Sequence, residues 1–164
     1  MAIRNIIENG DEILRKKSRE VGEINERILE LLDDMVETLH KSNGVGLSAV
    51  QVGVLKRVVV IDIYDGKGPI KLINPKITRA KGEVELEEGC LSFPNQYAKV
   101  KRAEEVTVEA LNEKGKKIKI TAKELLAQAL QHELDHLEGV LFVDRMIPGT
   151  MEYVDPDNNQ PVKE

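Results

Sequence analysis

The chain has few aromatic residues, a single cysteine and no long apolar run. Aromatic residues make up 3% of its 164 residues and tryptophan is absent, which argues against the stacking platforms that bind single-stranded nucleic acid. Because Cys90 has no second cysteine to pair with, an internal disulfide is excluded and a reducing cytoplasm is the predicted location. The N-terminal stretch has no signal-peptide core and no segment is long enough to span a bilayer. We therefore expect a cytoplasmic protein with no membrane partner.

The charge balance is mildly acidic. Lysine and arginine number 24 against 29 aspartates and glutamates, so the formal net charge is −5. A chain of this sign has no general attraction to DNA. The length fits one domain with a sizeable core. We expect that domain over residues 1–150, followed by a polar C-terminal tail over residues 151–164, in which the stretch DPDNNQPVKE, with two prolines, is expected to fray.

Two stretches predict helices. The first is INERILELLDDMVETLHKSNG, in which apolar residues recur every three or four positions and Asn43 and Gly44 give a stop signal. The second begins at TAKELL, where Thr121 as N-cap and Glu124 form a capping box. It continues through LAQALQHELDHLE to Gly139, a natural C-terminal residue.

The other elements have the composition of strands. These are RVVVIDIY, PIKLINP, ITRAKGEVELEEGC, a hairpin that turns at NEKG, and a short strand at VLFVDRM. Strands do not alternate with helices, so a doubly wound fold is excluded. We predict an α+β fold, with mostly antiparallel sheets packed around a central C-terminal helix and a second long amphipathic helix near the N-terminus.

The stretch QHELDHLEG predicts a metal site. His132 and His136 are four residues apart and so lie one turn apart on one helix face, whereas Glu133 lies about 100° around the helix. This is the H-E-x-x-H arrangement of two ligands and a carboxylate base. The alternative is a surface helix that carries two histidines by chance. Leu125 and Ala129 lie on the same face as the histidines, which favours an inward orientation and a metal.

A catalytic centre of this kind needs a third protein ligand and an open position. The longer metalloprotease pattern would place that ligand at position 142, which is Phe142. Glu152 and Glu164 lie in the short tail, a poor place for a rigid ligand. Cys90, in LEEGCLS, is the remaining candidate, because a thiolate binds borderline and soft metals well. Its alternative role is that of a small buried apolar residue.

Three stretches, in order along the chain, resemble the motifs of the peptide deformylase family. They are GVGLSAVQ at residues 44–51, EGCLS at residues 88–92 and QHELDH at residues 131–136. The resemblance extends from EILRKKS to about Arg145. It implies a metal-dependent hydrolase, with residues 1–150 as its catalytic domain, that removes the formyl group from the N-terminal formylmethionine of a nascent polypeptide.

The resemblance also implies the role of each site residue. One divalent metal ion, Fe(II) in the cell and Zn, Ni or Co as alternatives in purified protein, is held by Cys90, His132 and His136 with water as fourth ligand. Glu133 takes a proton from that water and later protonates the departing amine. The side-chain amide of Gln51 and the backbone N–H of Leu91 stabilise the oxyanion. Gln51 could instead cap a nearby strand or loop.

The substrate is expected to bind as an extended peptide that pairs with the backbone at Gly46. A tight turn is the alternative reason for the glycines of this loop. The predicted substrate-binding residues are Val45, Gly46, Leu86, Gly89, Leu125 and Ala129. Glu88 and Asp135 are candidates for fixing a histidine tautomer or a buried Arg102, although they could be ordinary solvated carboxylates.

Two positions depart from the family pattern. Ser48 stands where alanine is usual, with little effect expected, and Tyr97 stands where arginine is common. The lysines of KGKKIK could give a weak, transient contact with the ribosome, but lysines that protect an edge strand are the simpler explanation. The rival functions are a peptidase that cuts ordinary peptide bonds and a metal-binding module without catalysis.

Overall fold

Two antiparallel sheets and two long helices make up most of the fold. The structure is a computed structural model that describes residues 2–155 and 161–163, the last three by backbone alone. The helices are α1 (Glu26–Lys41), α2 (Glu124–Leu137) and the short α3 (Phe142–Arg145). The strands are β1 (Gly46–Ser48), β2 (Val58–Ile61), β3 (Ile70–Lys81), β4 (Val84–Cys90), β5 (Phe93–Arg102), β6 (Glu105–Leu111), β7 (Lys117–Lys123), β8 (Glu152–Val154) and β9 (Pro161–Lys163).

The larger sheet holds the core together. Its strand order is β1-β2-β3-β6-β7, and every pairing is antiparallel. All four residues of β2 are buried, as a run of β-branched residues predicts for a central strand. Alternate residues of β6, namely Val106, Val108 and Ala110, pack against the apolar face of α2. The predicted α+β class with mostly antiparallel pairing is therefore confirmed.

Helix α1 covers another part of the same sheet. The Asn25 side chain caps its N-terminus by accepting a hydrogen bond from the Ile28 N–H. Its apolar stripe, which includes Leu32, Met35 and Leu39, is buried against Val58 and Val60 of β2. This packing fixes the segment that follows α1 and leads into β1.

The smaller sheet has the order β4-β5-β8-β9. Strands β4 and β5 form a hairpin whose turn follows Cys90. Strand β8 pairs with β5 at Gln96 and Tyr97. Within the stretch expected to fray, the backbone of β9 pairs with β8. The hairpin predicted at NEKG joins β6 and β7, and Gly115 donates its N–H to the Asn112 carbonyl oxygen in the turn.

Two local predictions were wrong. The N-cap of α2 is Lys123 rather than Thr121, because β7 continues to Lys123 in register with β6. The Thr121 hydroxyl instead lies 3.1 Å from that of Thr107 across the strand pair. The stretch expected as a strand at VLFVDRM contains α3, whose first turn is closed by the Leu141 N–H donating to the Asp144 carboxylate.

Helix α2 ends at Leu137 with Glu138 as its C-cap, so Gly139, the predicted C-cap, is the next residue along the chain. Gly139 has φ of 73°, and a Cβ at this position would lie 2.3 Å from the Arg15 carbonyl oxygen. Only glycine combines this backbone conformation with such a close approach. In the described part of the chain, no helix has an apolar stretch sufficient to cross a membrane.

Candidate active site

The three predicted metal ligands meet at one point between the two sheets. Cys90 is the last residue of β4, and His132 and His136 lie on successive turns of α2. Their ligand atoms all lie within 4.8 Å of one another, and Cys90 Sγ is 3.4 Å from His136 Nε2. Sulfur and nitrogen ligands of one tetrahedral ion are roughly 3.3–3.6 Å apart. The donor set therefore fits a single divalent ion.

His132 is oriented by a buried carboxylate. Its Nδ1 donates to Glu88 Oε1, which turns Nε2 toward Cys90 and Glu133. Glu88 is in turn bound by the Arg102 guanidinium, whose Nε lies 3.0 Å from Glu88 Oε2. A carboxylate that holds the far nitrogen of a histidine fixes both its ring and its tautomer, as metal sites require.

Arg102 extends this network to α2. Its Nη1 donates to Asp135 Oδ2 at 2.7 Å. Because Glu88 lies on β4 and Asp135 on α2, the guanidinium of Arg102 joins β4, β5 and α2. Burial alone would raise the pKa of Glu88, but hydrogen bonds from His132 and Arg102 lower it to about 2. Glu88 therefore stays ionised and acts only as an acceptor, which requires the His132 Nδ1 to carry a proton.

The pKa values of the two histidines move in opposite directions. Burial lowers the pKa of His132, but the negative charges of Cys90 and Glu133 and the bond to Glu88 outweigh it, so the net shift is well upward. The pKa of His136 is lowered well below its usual value by burial and by the nearby positive charge of His132. The pocket thus favours one positive charge between its donors, which suits a cation bound by neutral imidazoles.

Glu133 is held beside the donor set. It is 3% exposed, its Oε2 lies 3.8 Å from His132 Nε2, and its Oε1 has no hydrogen-bond partner among the described residues. Burial raises its pKa to about 7, against the lowering effect of His132 and with a further increase from Glu88. A carboxyl group with a pKa near neutrality is suited to take up and release a proton.

Gln51 faces the same point from a short 3-10 helix, Ala49–Val52, that follows β1. Its Oε1 accepts hydrogen bonds from the Ser48 backbone N–H at 3.0 Å and from the Ser48 hydroxyl at 3.1 Å. Because a backbone N–H can only donate, the amide oxygen must face Ser48 and the amide nitrogen must face the site. Nε2 then lies 3.0 Å from Ser92 Oγ and 3.5 Å from Cys90 Sγ. Gln51 thus caps the adjacent turn through its amide oxygen and also directs its amide nitrogen toward the site.

A groove of about 340 Å³ opens beside these residues. Five of the six predicted substrate-binding residues line it, namely Val45, Gly46, Gly89, Leu125 and Ala129, and so does Leu91. Leu86 does not line this groove. It lies in an adjoining cavity of about 490 Å³, which shares Leu125 and Gln128 with the groove.

One edge of the groove has free backbone groups. The Asp62 N–H donates to the Val45 carbonyl oxygen at 2.8 Å, and Gly46 pairs with Ile61. Hydrogen bonds in an antiparallel pair alternate, so the N–H and C=O of Gly46 point away from β2, toward the groove. A side chain at Gly46 would collide with Glu133, since its Cβ would lie 2.7 Å from Oε2.

Two residues that the sequence did not single out for the site complete its surroundings. Ser92 accepts the hydrogen bond from Gln51, although its only sequence signal is its place in EGCLS. Phe142 is buried, stands edge-on to Phe93 at 5.1 Å between ring centroids and lies 6.2 Å from the His132 ring. Position 142, where the longer metalloprotease pattern has its third metal ligand, is therefore occupied by a buried apolar side chain.

Comparison with known sequences gives consistent matches over nearly the whole chain. The family model described as Polypeptide deformylase matches residues 3–151. The chain is similar to a protein named Peptide deformylase from Acetivibrio thermocellus, with 59% identity over 147 residues that cover 90% of this chain and 85% of that protein. It is also similar to the Peptide deformylase of Thermoanaerobacter pseudethanolicus, with 48% identity over 164 residues that cover 100% of this chain and 99% of that protein.

Comparison of folds gives the same result. A crystal structure of a peptide deformylase from Legionella pneumophila has a TM-score of 0.87 and 49% identity, with 90% of this chain and 88% of that chain covered. A peptide deformylase from Synechococcus elongatus, solved in complex with actinonin, has a TM-score of 0.84 and 41% identity, with 88% and 79% covered.

Proposed function

The chain belongs to the polypeptide deformylase family, and on that premise we propose how its groove carries out the family's reaction. The enzyme hydrolyses the formamide of N-terminal formylmethionine on newly synthesised polypeptides and releases formate. One observation carries the proposed residue roles: a buried carboxyl group with a pKa of about 7, Glu133, stands beside a Cys-His-His set at the end of a groove with a free backbone edge.

The metal is held by Cys90, His132 and His136. When bound there, a divalent ion supplies Lewis acidity, which lowers the pKa of a water molecule and polarises the formyl carbonyl. The affinity order of divalent metals disfavours Fe(II) against Zn at such a set of one thiolate and two imidazoles, so availability in the cell decides which metal occupies it. We assign Fe(II) in the cell, with Zn, Ni or Co as alternatives in purified protein.

Proton transfer is assigned to Glu133. Its carboxylate accepts a proton from water as the water oxygen attacks the formyl carbon, and it then donates that proton to the methionine nitrogen as the C–N bond breaks. The remaining proton of the attacking water passes to the amine, so the products are formate and an ammonium group, and atoms and charge balance. The Glu133 Oε1, which lacks a hydrogen-bond partner among the described residues, is the atom available for this transfer.

Two donors stabilise the carbonyl oxygen as it gains negative charge. The Gln51 amide nitrogen is oriented toward the site by Ser48, and the Leu91 N–H follows Cys90 directly in the turn after β4. Neither group loses its proton at neutral pH, so both remain donors throughout the reaction.

The peptide binds along the exposed edge of β1. Gly46 offers its N–H and C=O to an extended substrate backbone, as in the addition of a strand to a sheet. The methionine side chain then enters the apolar part of the groove between Val45, Leu125 and Ala129. Gly89 lies in the facing wall, where a side chain would collide with the Tyr97 ring, since its Cβ would lie 2.6 Å from Tyr97 Cε1.

Formate release from a formyl-Met tripeptide tests the proposal. Protein prepared without oxygen and loaded with Fe(II) is expected to release one formate per peptide and to leave an acetyl-blocked peptide and internal peptide bonds intact. Cys90→Ala should lose metal and activity together, because the described residues offer no other third ligand. Cleavage of internal bonds would favour a peptidase, and full metal occupancy in Cys90→Ala would remove Cys90 from the site.

We also propose a weak, transient contact with ribosomal RNA. One exposed sheet face carries six cationic side chains, Lys76, Arg79, Lys81, Lys117, Lys119 and Lys123, against the two carboxylates Glu105 and Glu109. The opposite face of these strands packs on α2, so docking would leave the groove free. Co-sedimentation with ribosomes should fall as salt increases and should be weakened by K117E/K119E. Unchanged co-sedimentation of this variant would assign the lysines to edge protection alone.

This function fits a cytoplasmic location, where nascent polypeptides are made. The lone thiol Cys90 is proposed as a metal ligand and therefore must stay reduced. Fractionation of the producing cell is expected to recover the deformylase activity with the cytosol and the ribosomes, and recovery outside the cytoplasm would contradict this assignment.

A further inference from the structure

One wall of the groove is a short segment outside the regular sheet. Residues 43–46 line the groove, but strand pairing begins only at Gly46. Gly44, in this wall, lies close to the turn that carries Leu91 on the opposite side of the groove. A Cβ at Gly44 would lie 2.7 Å from Leu91 Cδ1 and 3.0 Å from Leu39 Cδ1. A small displacement of Gly44 would therefore change the distance between the β1 edge and the turn that carries Leu91.

Few hydrogen bonds hold this wall. The Asn43 N–H donates to the His40 carbonyl oxygen at 3.2 Å and the Gly44 N–H to the Leu39 carbonyl oxygen at 3.1 Å, and the Val45 carbonyl oxygen accepts from the Asp62 N–H at 2.8 Å. The Gly44 carbonyl oxygen accepts from the hydroxyl of Tyr64 at 2.6 Å. This last bond is the side-chain tie that joins the wall to the loop after β2.

Tyr64 is placed for this contact rather than for burial. Its side chain is 55% exposed, and its φ is 56°, a conformation that bulky residues rarely adopt. The backbone is held there by its own N–H, which donates to Asp62 Oδ1 at 2.8 Å. The other oxygen of Asp62 lies 2.8 Å from His40 Nε2 at the end of α1. The pair His40–Asp62 thus fixes the loop from which the Tyr64 hydroxyl reaches Gly44.

We propose that Tyr64 is a positioning residue for substrate binding. It holds the Gly44 carbonyl and so fixes the wall next to Gly46, whose backbone is proposed to pair with the peptide. Tyr64 contacts neither the donor set nor Glu133 among the described residues, so it acts on the width of the groove and not on the chemical step. The inference rests on the proposed mode of peptide binding at Gly46.

Tyr64→Phe is the direct test, because it removes the hydroxyl and keeps the ring. With Fe(II)-loaded enzyme and a formyl-Met tripeptide, we expect KM to rise roughly 3- to 10-fold, as loss of one hydrogen bond implies, with kcat within about 2-fold of the original. Backbone amides of residues 43–46 should exchange with deuterium faster than in the unchanged protein. The exposed position of Tyr64 leads us to expect a folded variant with an unchanged melting temperature.

Asp65→Ala is the matched control. It removes a bond of the same loop, from the Lys67 N–H to Asp65 Oδ1 at 3.0 Å, and leaves the Gly44 contact in place. KM should then stay within about 2-fold, since the wall is untouched. An equal rise of KM in Asp65→Ala would assign the effect to general loosening of the loop and overturn the proposal.

The remaining outcomes separate this inference from the proposed function. An unchanged KM in Tyr64→Phe, while the unmodified enzyme deformylates normally, would overturn the role of Tyr64 alone. A fall in kcat with constant KM would also overturn it, because it would place Tyr64 in the chemistry. Failure of the unmodified enzyme to release formate would instead contradict the proposed function.

Discussion

At the scale of single residues, each proposed role depends on a neighbour that decides which atom faces the groove. Glu88 is ionised, so it accepts a hydrogen bond from the His132 Nδ1–H and leaves Nε2 as the nitrogen that can bind a metal. Ser48 donates its backbone N–H, so the Gln51 amide nitrogen faces Cys90. In both cases the neighbouring group can only accept or only donate a hydrogen bond. It therefore decides which nitrogen of His132 and which atom of the Gln51 amide faces the groove.

Glu133→Ala separates metal binding from proton transfer. We expect a folded protein with close to one metal per chain, because Glu133 lies about 100° around the helix from His132 and is not in the donor set. Deformylation should fall by about 10²–10⁴, the range for a lost general acid and base, mainly in kcat. Metal analysis and formate release check this, with Glu133→Gln as the control that keeps the packing against Gly46. Loss of metal would make Glu133 a ligand, and near-normal turnover would mean that another group moves the proton.

Gln51→Leu tests the proposed oxyanion donor. It should keep its metal and lower kcat by roughly 10²–10³, the usual loss for one such donor. The matched variant is Ser48→Ala, which removes the 3.1 Å bond from the hydroxyl but keeps the backbone N–H that orients Gln51. We expect it to lose less than about 5-fold, as one hydrogen bond implies. Equal losses in the two variants would reduce Gln51 to a structural residue of this turn.

The two histidine ligands could be predicted from the sequence because their spacing along the chain places them on one face of a helix. Two histidines four apart on a helix must share a face, and one cysteine was left to complete the set; the structure brings all three together. Ser92 and Tyr64 have no such signal. Their contacts, to Gln51 and Gly44, join segments 41 and 20 residues apart, and only the folded chain brings these together.

At the scale of elements, local signals failed where strand pairing overrode them. Thr121 with Glu124 is a good capping box in sequence. However, β7 pairs with β6 as far as Lys123, so the strand continues past the expected N-cap at Thr121. The apolar stretch of residues 140–146 favoured a strand, but its Phe142 packs on Phe93 and Asp144 caps the turn. In contrast, α1 and the NEKG hairpin have strong periodic and turn signals, which agree with the tertiary structure.

Arg102→Met tests the network that joins β4, β5 and α2. The buried carboxylate of Glu88 and the half-buried carboxylate of Asp135 would lose their shared cation, so we expect the free energy of unfolding to fall by about 3–5 kcal/mol. Metal affinity should fall about 10- to 100-fold as well, because Glu88 would no longer be held against His132. Urea unfolding and competition with a chelator measure the two effects.

Arg145→Met is the control for that experiment. Arg145 also binds Asp135, at 2.6 Å, but its side chain is 48% exposed. Solvent screens an ion pair of this kind, so we expect a loss below about 1 kcal/mol and unchanged metal affinity. If Arg102→Met destabilised the fold but left metal affinity intact, the network would support the sheets without supporting the site.

At the scale of the whole molecule, the ion pairs tie stability to pH. The pKa values of Asp34, Asp62 and Asp144 lie below their usual range. Burial raises the pKa values of Asp34 and Asp144, but hydrogen bonds from backbone N–H groups and from arginine side chains outweigh it. Hydrogen bonds from a histidine side chain and from a backbone N–H lower the pKa of Asp62, against the opposing effect of burial. These groups lie on α1, after β2 and on α3. A group whose pKa is lower in the folded state stabilises the protein above its unfolded pKa and loses that contribution as the pH falls. The molecule as a whole should therefore be sensitive to acid.

Glu88 should contribute to this acid sensitivity, because its pKa falls from 4.5 to about 2 on folding. The shift corresponds to about 3 kcal/mol of stability, fully present above pH 4.5 and lost as the pH falls toward 2, with about 2 kcal/mol lost by pH 3. Glu88→Gln cannot titrate and should lack this part of the pH dependence. Urea unfolding of both metal-free proteins between pH 7 and pH 3, with a chelator present so that metal release adds nothing, should show their difference in stability shrinking by about 2 kcal/mol. A difference that stays constant with pH would mean that Glu88 is not held ionised by Arg102 and His132, and the orientation of His132 would then need another cause.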